Sequence, residues 1–232
     1  MVGAMRVMLE VGPKGKRVVA VAPDWPGLSR GAKTEQDAVA RLESYLPRYA
    51  RVATLAGMEK DLAAITAVEV VERFPGTGST DFWGISFAFS SIDRREPSTD
   101  ELARELTLMR GCWAFFDEVR ARVSPEMQKG PRGGGRDRDH IVRHTVANEM
   151  DWGKGFGLPG WQGEMPSEAG LAAHRDAYCD AIRALHAEGK MARTWPLRFL
   201  MRHTAFHTMD HAWEMEEKDL TATASSPTAA GG

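Results

Sequence analysis

The sequence has few cysteines, no long apolar run and no excess of charge of either sign. The two cysteines among the 232 residues lie far apart in no CxxC pattern, which argues against a disulfide scaffold and for a reducing compartment. No stretch of about 18 apolar residues occurs, and MVGAMRVMLEVG is too short an apolar run for a signal peptide. We therefore expect a cytoplasmic protein with no membrane partner, in which Cys112 and Cys179 are buried thiols.

The charge balance argues against a broad nucleic-acid-binding surface. The 30 Lys and Arg residues nearly cancel the 32 Asp and Glu residues, so the net charge is −2. Proteins that bind nucleic acid usually present a strongly basic field, although a local basic patch stays compatible with this composition. Neither a Gly-x-Ser-x-Gly motif nor a Cys–His nucleophile pattern occurs, so we do not expect covalent catalysis.

Residues 1–94 indicate an α+β domain. MRVMLEVG and KRVVAVAP are rich in β-branched residues and are separated by the turn sequence GPKG, which predicts a hairpin. ITAVEVVERF and DFWGISFAFSS predict further strands. Between them Thr34 can cap a helix in which Ala38, Leu42 and Leu46 share one face. The expected fold is a small antiparallel sheet with one helix.

Residues 95–220 indicate an all-α domain. Within the segment DRREPSTDE, Ser98 and Thr99 are N-cap candidates, and Asp100 and Glu101 lie where a helix dipole favours negative charge. Stretches rich in Gly and Pro then separate four predicted helical segments, which are 99–123, 137–154, 167–188 and 196–218. Four helices of this length with modest loops predict a four-helix bundle. The small polar residues of 221–232 predict a disordered tail.

Histidines are concentrated on the second and fourth helical segments. HTAFHTMDHAWEMEE has three histidines at steps of four, and DHIVRHTVANEMDW has two more with that spacing. These five of the seven histidines are His140, His144, His203, His207 and His211. Because residues four apart are neighbours on one face of a helix, an adjacent pair can bind a single ion. The pattern therefore predicts a metal site, and the alternative is a histidine-rich helix without metal.

The three histidines of the fourth segment cannot all bind the same ion. His203 and His211 would lie roughly 12 Å apart along the helix axis, whereas each ligand nitrogen must lie about 2.1 Å from a metal such as zinc. An ion would take one adjacent pair from this segment and a third ligand, His140 or His144, from the second segment. Three histidines with open positions are typical of catalytic rather than closed structural zinc sites.

Two motifs resemble those of the DinB-like metal-binding bundles. GRDRDHIVRHTVANE is similar to the second-helix signature of that superfamily, and AFHTMDHAWEMEEKD is similar to its fourth-helix HxxxH motif. The resemblance covers about residues 98–218. It implies three ligands to one divalent ion, commonly zinc or nickel, and these are His144, His207 and His211. It makes His140 and His203 the less favoured ligands.

The DinB-like resemblance also implies a chemistry. A metal-dependent transferase of the thiol S-transferase type is the leading expectation, with a small-molecule substrate and a low-molecular-weight thiol as co-substrate. A metal-dependent hydrolase is the second, and a non-catalytic metal-binding or assembly module is the alternative of a different class. Glu149 and Asp210 are candidates to orient ligand imidazoles. Glu149 and Glu214 are the candidate catalytic residues.

The N-terminal segment resembles HicB-like antitoxin domains. KRVVAVAPDWPGLSRGAKTEQDAVARLESYLPRY is similar to their core, in which a strand leads into a D-x-P-G turn and then a Thr-capped helix. In that family the fold neutralises an RNase toxin, and DNA binding lies in a separate C-terminal segment. Here the helical segments take the place of that segment. We therefore interpret residues 1–94 as a binding or homodimerisation domain, with a HicB-like regulator as the alternative.

Overall fold

The computed structural model describes residues 3–130 and 133–221. A small mixed four-stranded sheet comes first, and mostly helices follow. The strands are β1 (Gly3–Val11), β2 (Val18–Val21), β3 (Ser29–Ala32) and β4 (Ile65–Pro75). The helices are α1 (Glu35–Ser44), α2 (Leu46–Leu55), α3 (Glu59–Ala63), α4 (Gly78–Trp83), α5 (Ser91–Arg94), α6 (Thr99–Arg122), α7 (Arg138–Gly153), α8 (Glu168–Ala187) and α9 (Leu197–Lys218). The predicted disordered tail lies outside the described residues, except for Thr221.

The sheet has the strand order β3-β2-β1-β4. β1 and β2 pair antiparallel, which confirms the predicted hairpin, and β2 and β3 also pair antiparallel. β4 instead pairs parallel to β1, so the prediction of an antiparallel sheet is wrong. The reason is the connection: the chain crosses through α1, α2 and α3 before it reaches β4, and such a crossover allows a parallel neighbour.

The single helix predicted between the strands is three helices. Thr34 caps α1 as expected, because its hydroxyl oxygen accepts a hydrogen bond from the backbone N–H of Asp37 at 3.1 Å. Ala38 and Leu42 are buried on α1. The helix ends at Ser44, and Pro47 lies in the first turn of α2, where a proline is tolerated because its missing N–H has no helical partner there.

The segment DFWGISFAFSS is not the strand that its composition predicts. Phe82 and Trp83 lie at the end of α4, and the residues between α4 and α5 form no strand. Thr77 and Thr80 form a capping box at the start of α4, and Gly84 ends it with φ at 71°, in the left-handed region. These local capping bonds override the β propensity of the aromatic residues.

The four long helices follow the predicted segments to within one residue at nearly every end. Ser98 caps α6 in a capping box with Glu101. α9 packs against α6 and α7. α8 joins them through Tyr178, whose hydroxyl lies 3.0 Å from that of Thr204 on α9 and whose ring meets Trp113 of α6 edge to face. α9 is therefore the helix that the other three share.

One hydrophobic core runs from the sheet into the long helices. It contains Leu9 of β1, Val52 of α2 and Met109 of α6, all fully buried. Both cysteines are free and buried, as predicted. The predicted boundary between residues 94 and 95 stays a prediction. Among the residues that the structure describes, no helix combines the length and the apolarity that crossing a bilayer requires.

Candidate metal centre

Three histidines from two helices meet beside the core of the long helices. His144 of α7 faces His207 and His211 of α9, and one ring nitrogen from each lies within 4.8 Å of the others. The ring centroids of His207 and His211 are 4.5 Å apart, and the ring of His144 lies 5.2 Å from the first and 4.9 Å from the second. The structure therefore brings together the three residues that the resemblance implies.

Local structure places each of these rings. Asp137 caps α7 by accepting a hydrogen bond from the backbone N–H of His140 at 2.7 Å, and this sets where the helix begins. Two turns later His144 follows the buried Ile141 on the side of α7 that faces α9. His207 and His211 lie one turn apart on α9, so their rings point to the same side.

The cluster favours neutral imidazole rings. Burial, together with the neighbouring histidines, lowers the pKa of His144 and lowers that of His207 well below its ordinary value. A protonated ring in this cluster would also disfavour the protonation of its two neighbours. Because only a neutral imidazole has a lone pair to give to a metal, the cluster is electrostatically prepared for a cation.

Glu214 fixes the orientation of His211. Its carboxylate oxygen Oε2 lies 2.8 Å from Nδ1 of His211 and accepts a bond from Nη2 of Arg136 at 2.6 Å, while Oε1 accepts one from Nζ of Lys218 at 2.6 Å. Burial opposes ionisation of Glu214, but these partners lower its pKa to about 2. An anionic carboxylate keeps a proton on Nδ1 and leaves the Nε2 lone pair of His211 free.

Asn148 is a neighbour of His144 that the sequence interpretation missed. Its amide Nδ2 donates to the backbone carbonyl of His144 at 2.8 Å and lies 3.3 Å from the ring nitrogen Nδ1. The signal was present in the sequence, because Asn148 comes four residues after His144 on the same helix. Arg136 and Lys218 were missed because their role depends on Glu214 and on the meeting of α7 with α9.

The donor set suits a divalent ion of the zinc or nickel type. Imidazole nitrogens are preferred ligands of such ions, and a tetrahedral zinc at 2.0–2.1 Å from each nitrogen would separate the nitrogens by about 3.3 Å. The three nitrogens lie within 4.8 Å of one another, so they would have to move closer together to bind one ion. His144 and His207 are only half-buried, so one side of the cluster borders solvent.

No family model, curated protein or solved structure matches this chain. The DinB-like and HicB-like resemblances therefore stay predictions.

The two less favoured histidines lie apart from the cluster. His140 is exposed at the start of α7. His203 is buried among aromatic rings: it stacks on Phe199 with centroids 5.2 Å apart, and the rings of Trp152 and Phe87 lie 5.1 and 4.9 Å away. Burial lowers the pKa of His203 to about 3, so this ring is a neutral part of the packing.

The structure brings neither Glu149 nor Asp210 to a ligand imidazole. Glu149 is buried and accepts bonds from Arg175 of α8 at 3.0 and 3.3 Å; burial raises its pKa, and Arg175 opposes this. A five-residue step turns a helix by roughly 140°, so Glu149 faces away from His144. Asp210 instead accepts a bond from Arg30 of β3 at 3.0 Å. The orienting role therefore falls to Glu214.

An aromatic cavity adjoins the cluster. The ring of Trp152 lies 5.0 Å from that of His207 and also lines a cavity of about 210 Å³ together with Trp195, Leu200 and Arg193. Arg193 adopts φ of 56°, a left-handed conformation that is unusual for a residue with a side chain. The cavity is small and largely apolar, and its wall has one cationic residue, Arg193, and one acidic residue, Asp151.

Proposed function

We propose that this chain is a DinB-like protein in which the four long helices form a four-helix bundle and hold one divalent ion, zinc or nickel. The observation that carries the proposal is the cluster of His144, His207 and His211, whose ligand nitrogens come from two helices and lie within 4.8 Å of one another. The anionic Glu214 behind His211 supports it further, because ligand histidines usually have such a partner.

We further propose that the activity is that of a metal-dependent transferase of the thiol S-transferase type, acting on a small molecule. A divalent ion in the cluster would lower the pKa of a bound thiol or water. The protein's own thiols are unsuited as nucleophiles, because burial raises the pKa of Cys179 to about 11 and raises that of Cys112 further. A low-molecular-weight thiol from solution is therefore the expected nucleophile, and the cavity beside Trp152 is the expected place of its acceptor.

Two alternatives have distinct support. Water in place of the thiol would make the protein a metal-dependent hydrolase, which the same ligand set serves equally well. A non-catalytic assembly module is favoured by the N-terminal sheet, whose edge strand β4 is largely exposed and offers a place for a homodimer to form, whereas the other edge strand, β3, is buried. The D-x-P-G turn between β2 and β3 and the Thr34 cap of α1 support the HicB-like interpretation of this part.

Metal analysis of purified variants tests the proposal. We expect wild type to carry roughly one zinc or nickel ion per chain, and His144→Ala, His207→Ala and His211→Ala each to lose it. The matched controls His140→Ala and His203→Ala should keep it, because these rings lie outside the cluster. Wild type that stays metal-free after incubation with zinc and with nickel would refute the proposal.

Cobalt substitution distinguishes the enzyme from the assembly module. The visible absorption of cobalt reports its coordination, and we expect it to change when a small thiol is titrated into the wild-type protein. This result requires an exchangeable position on the ion, which a closed structural site lacks. A spectrum that does not respond to thiol, substrate-like small molecules or pH would favour the assembly module.

A further inference from the structure

A second cavity, of about 120 Å³, lies between the N-terminal sheet and α9. Three arginines line it: Arg17, Arg30 of β3 and Arg41 of α1. Phe206 and Asp210 of α9 and Trp83 of α4 also line it. The cavity shares no lining residue with the histidine cluster, because α9 turns a different face to each.

Positive charge is in excess around this cavity. Asp210 is the one acidic residue in its lining, and it is already paired with Arg30 at 3.0 Å. Arg41 donates to the backbone carbonyl of Gly31 at 2.9 Å. In the part of the chain that the structure describes, neither the guanidinium of Arg17 nor that of Arg41 pairs with a carboxylate. Three cations and one anion leave about two positive charges at a small concave site.

Two buried polar groups in the same wall have no hydrogen-bond partner among the described residues. They are the hydroxyl oxygen of Ser29 and Nε of Arg30. The two residues are 3% and 5% exposed, respectively. Buried polar groups are rarely left unpaired in proteins. The rings of Tyr45 and Trp213 lie 3.8 and 4.1 Å from the guanidinium of Arg30 and hold it in place. Nε of Arg30 can only donate, and the hydroxyl of Ser29 can donate, so an acceptor would satisfy both groups.

We propose that this cavity binds the phosphate group of a small molecule. Guanidinium groups donate paired hydrogen bonds to phosphate oxygens, and an excess of about two positive charges matches a phosphate dianion better than a carboxylate. Trp83 is 67% exposed and packs edge to face on the exposed Phe82, with ring centroids 4.5 Å apart. A flat, exposed ring beside an anion site offers a stacking surface for a planar group attached to the phosphate. The site is independent of any metal ion.

Calorimetric titration of the full chain with inorganic phosphate, in the presence of a chelator, tests this inference. We expect saturable binding to wild type and a loss of affinity of about tenfold or more in the double variant Arg17→Gln, Arg41→Gln. Both side chains reach the surface, so the fold should survive, which circular dichroism checks. Arg183→Gln, an exposed arginine on α8, is the matched control and should bind like wild type.

Three further arms complete the test. His207→Ala should bind phosphate like wild type, which separates this cavity from a phosphate bound to metal. A nucleoside monophosphate that binds more tightly than inorganic phosphate, with the gain lost in Trp83→Ala, would identify a phosphate ester as the ligand; equal affinities would identify the phosphate group alone. The proposal is overturned if wild type shows no saturable binding in the millimolar range, if the double variant binds like wild type, or if acetate binds as tightly as phosphate.

Discussion

The two halves of α9 bury polar side chains in opposite ways. In the first half, Arg198 and Arg202 each meet a carboxylate from another helix: Arg198 contacts Glu105 of α6, and Arg202 lies 2.6 Å from Asp93 of α5. In the second half, His207 faces other imidazoles in place of a carboxylate. The first arrangement balances opposite charges, whereas the second gathers bases of the same kind.

This difference separates a structural region from a candidate functional one. Arg202 also donates to the hydroxyl of Ser86 and the carbonyl of Ala88, so its buried charge is well compensated. Among the described residues, the side-chain partners of the cluster's ring nitrogens are Asn148 beside His144 and Glu214 behind His211, and neither is paired with His207. Buried polar side chains that pair with one another hold helices together. Neutral imidazole nitrogens that point to one place are instead suited to bind a cation.

We expect the largest change in stability from a substitution in the first half of α9. Arg202→Met removes the cation and leaves Asp93 buried at 2% exposure without its main partner. We expect the free energy of unfolding to fall by about 3–5 kcal/mol, the usual cost of breaking a buried ion pair from one side. Urea denaturation of metal-free protein measures it.

The matched control for Arg202→Met is Arg183→Met, which breaks an exposed pair with Asp180. Its cost should be at most about 1 kcal/mol. If the two variants lost equal stability, the buried pair would contribute no more than a surface pair, and the structural reading of the first half of α9 would be wrong.

A smaller effect is expected in the second half. Glu214→Gln keeps the shape but removes the negative charge next to Nδ1 of His211. We expect the affinity for zinc or nickel to fall about 10- to 100-fold, the usual loss when the carboxylate that orients a ligand histidine and raises its basicity is removed. Competition with a chromophoric chelator measures the change. The control is Glu217→Gln on the same helix. Because Glu217 pairs with Arg48 and not with a histidine, this variant should bind the metal as tightly as wild type does.

A third test concerns His203, which lies between the two halves. Its pKa in the folded protein is about 3, below the ordinary value of 6.5, because burial disfavours the charged ring. Between these values the unfolded chain binds a proton that the folded chain does not. The stability that neutral His203 provides is therefore fully present above about pH 6.5 and is lost as the pH falls toward about 3.

Replacing His203 by an aromatic residue that cannot titrate tests this. In His203→Phe, the fall in unfolding free energy between about pH 6.5 and pH 4 should be shallower than in wild type by up to about 1.4 kcal/mol per pH unit. Denaturant unfolding at several pH values, with chelator present, measures the slopes. His140→Phe alters an exposed ring and should leave the wild-type slope unchanged. Equal slopes in all three proteins would show that His203 titrates normally in the folded state.

Much of the fold was predictable because its signals are local. Thr34 and Ser98 begin their helices as their capping chemistry predicts, and the turn GPKG joins β1 to β2. The pairing of β4 with β1 was not predictable, since strand partners far apart in the chain leave no local mark. The segment at Trp83 was misassigned because its aromatic composition favours a strand, and only the capping box at Thr77 decides otherwise.

For the candidate site, the sequence by itself determined which residues can be ligands, because the spacing of His207 and His211 on a helix fixes their common face. It left open which adjacent pair of α9 and which histidine of α7 would meet, and the packing of α7 on α9 brought His144 together with His207 and His211. Tertiary structure alone also paired Glu149 with Arg175 and placed Glu214 beside the ring of His211. It also brought three arginines from separate parts of the chain to the lining of one cavity. These contacts depend on how helices and strands pack against one another, and the spacing of residues within a single helix or strand does not predict that packing.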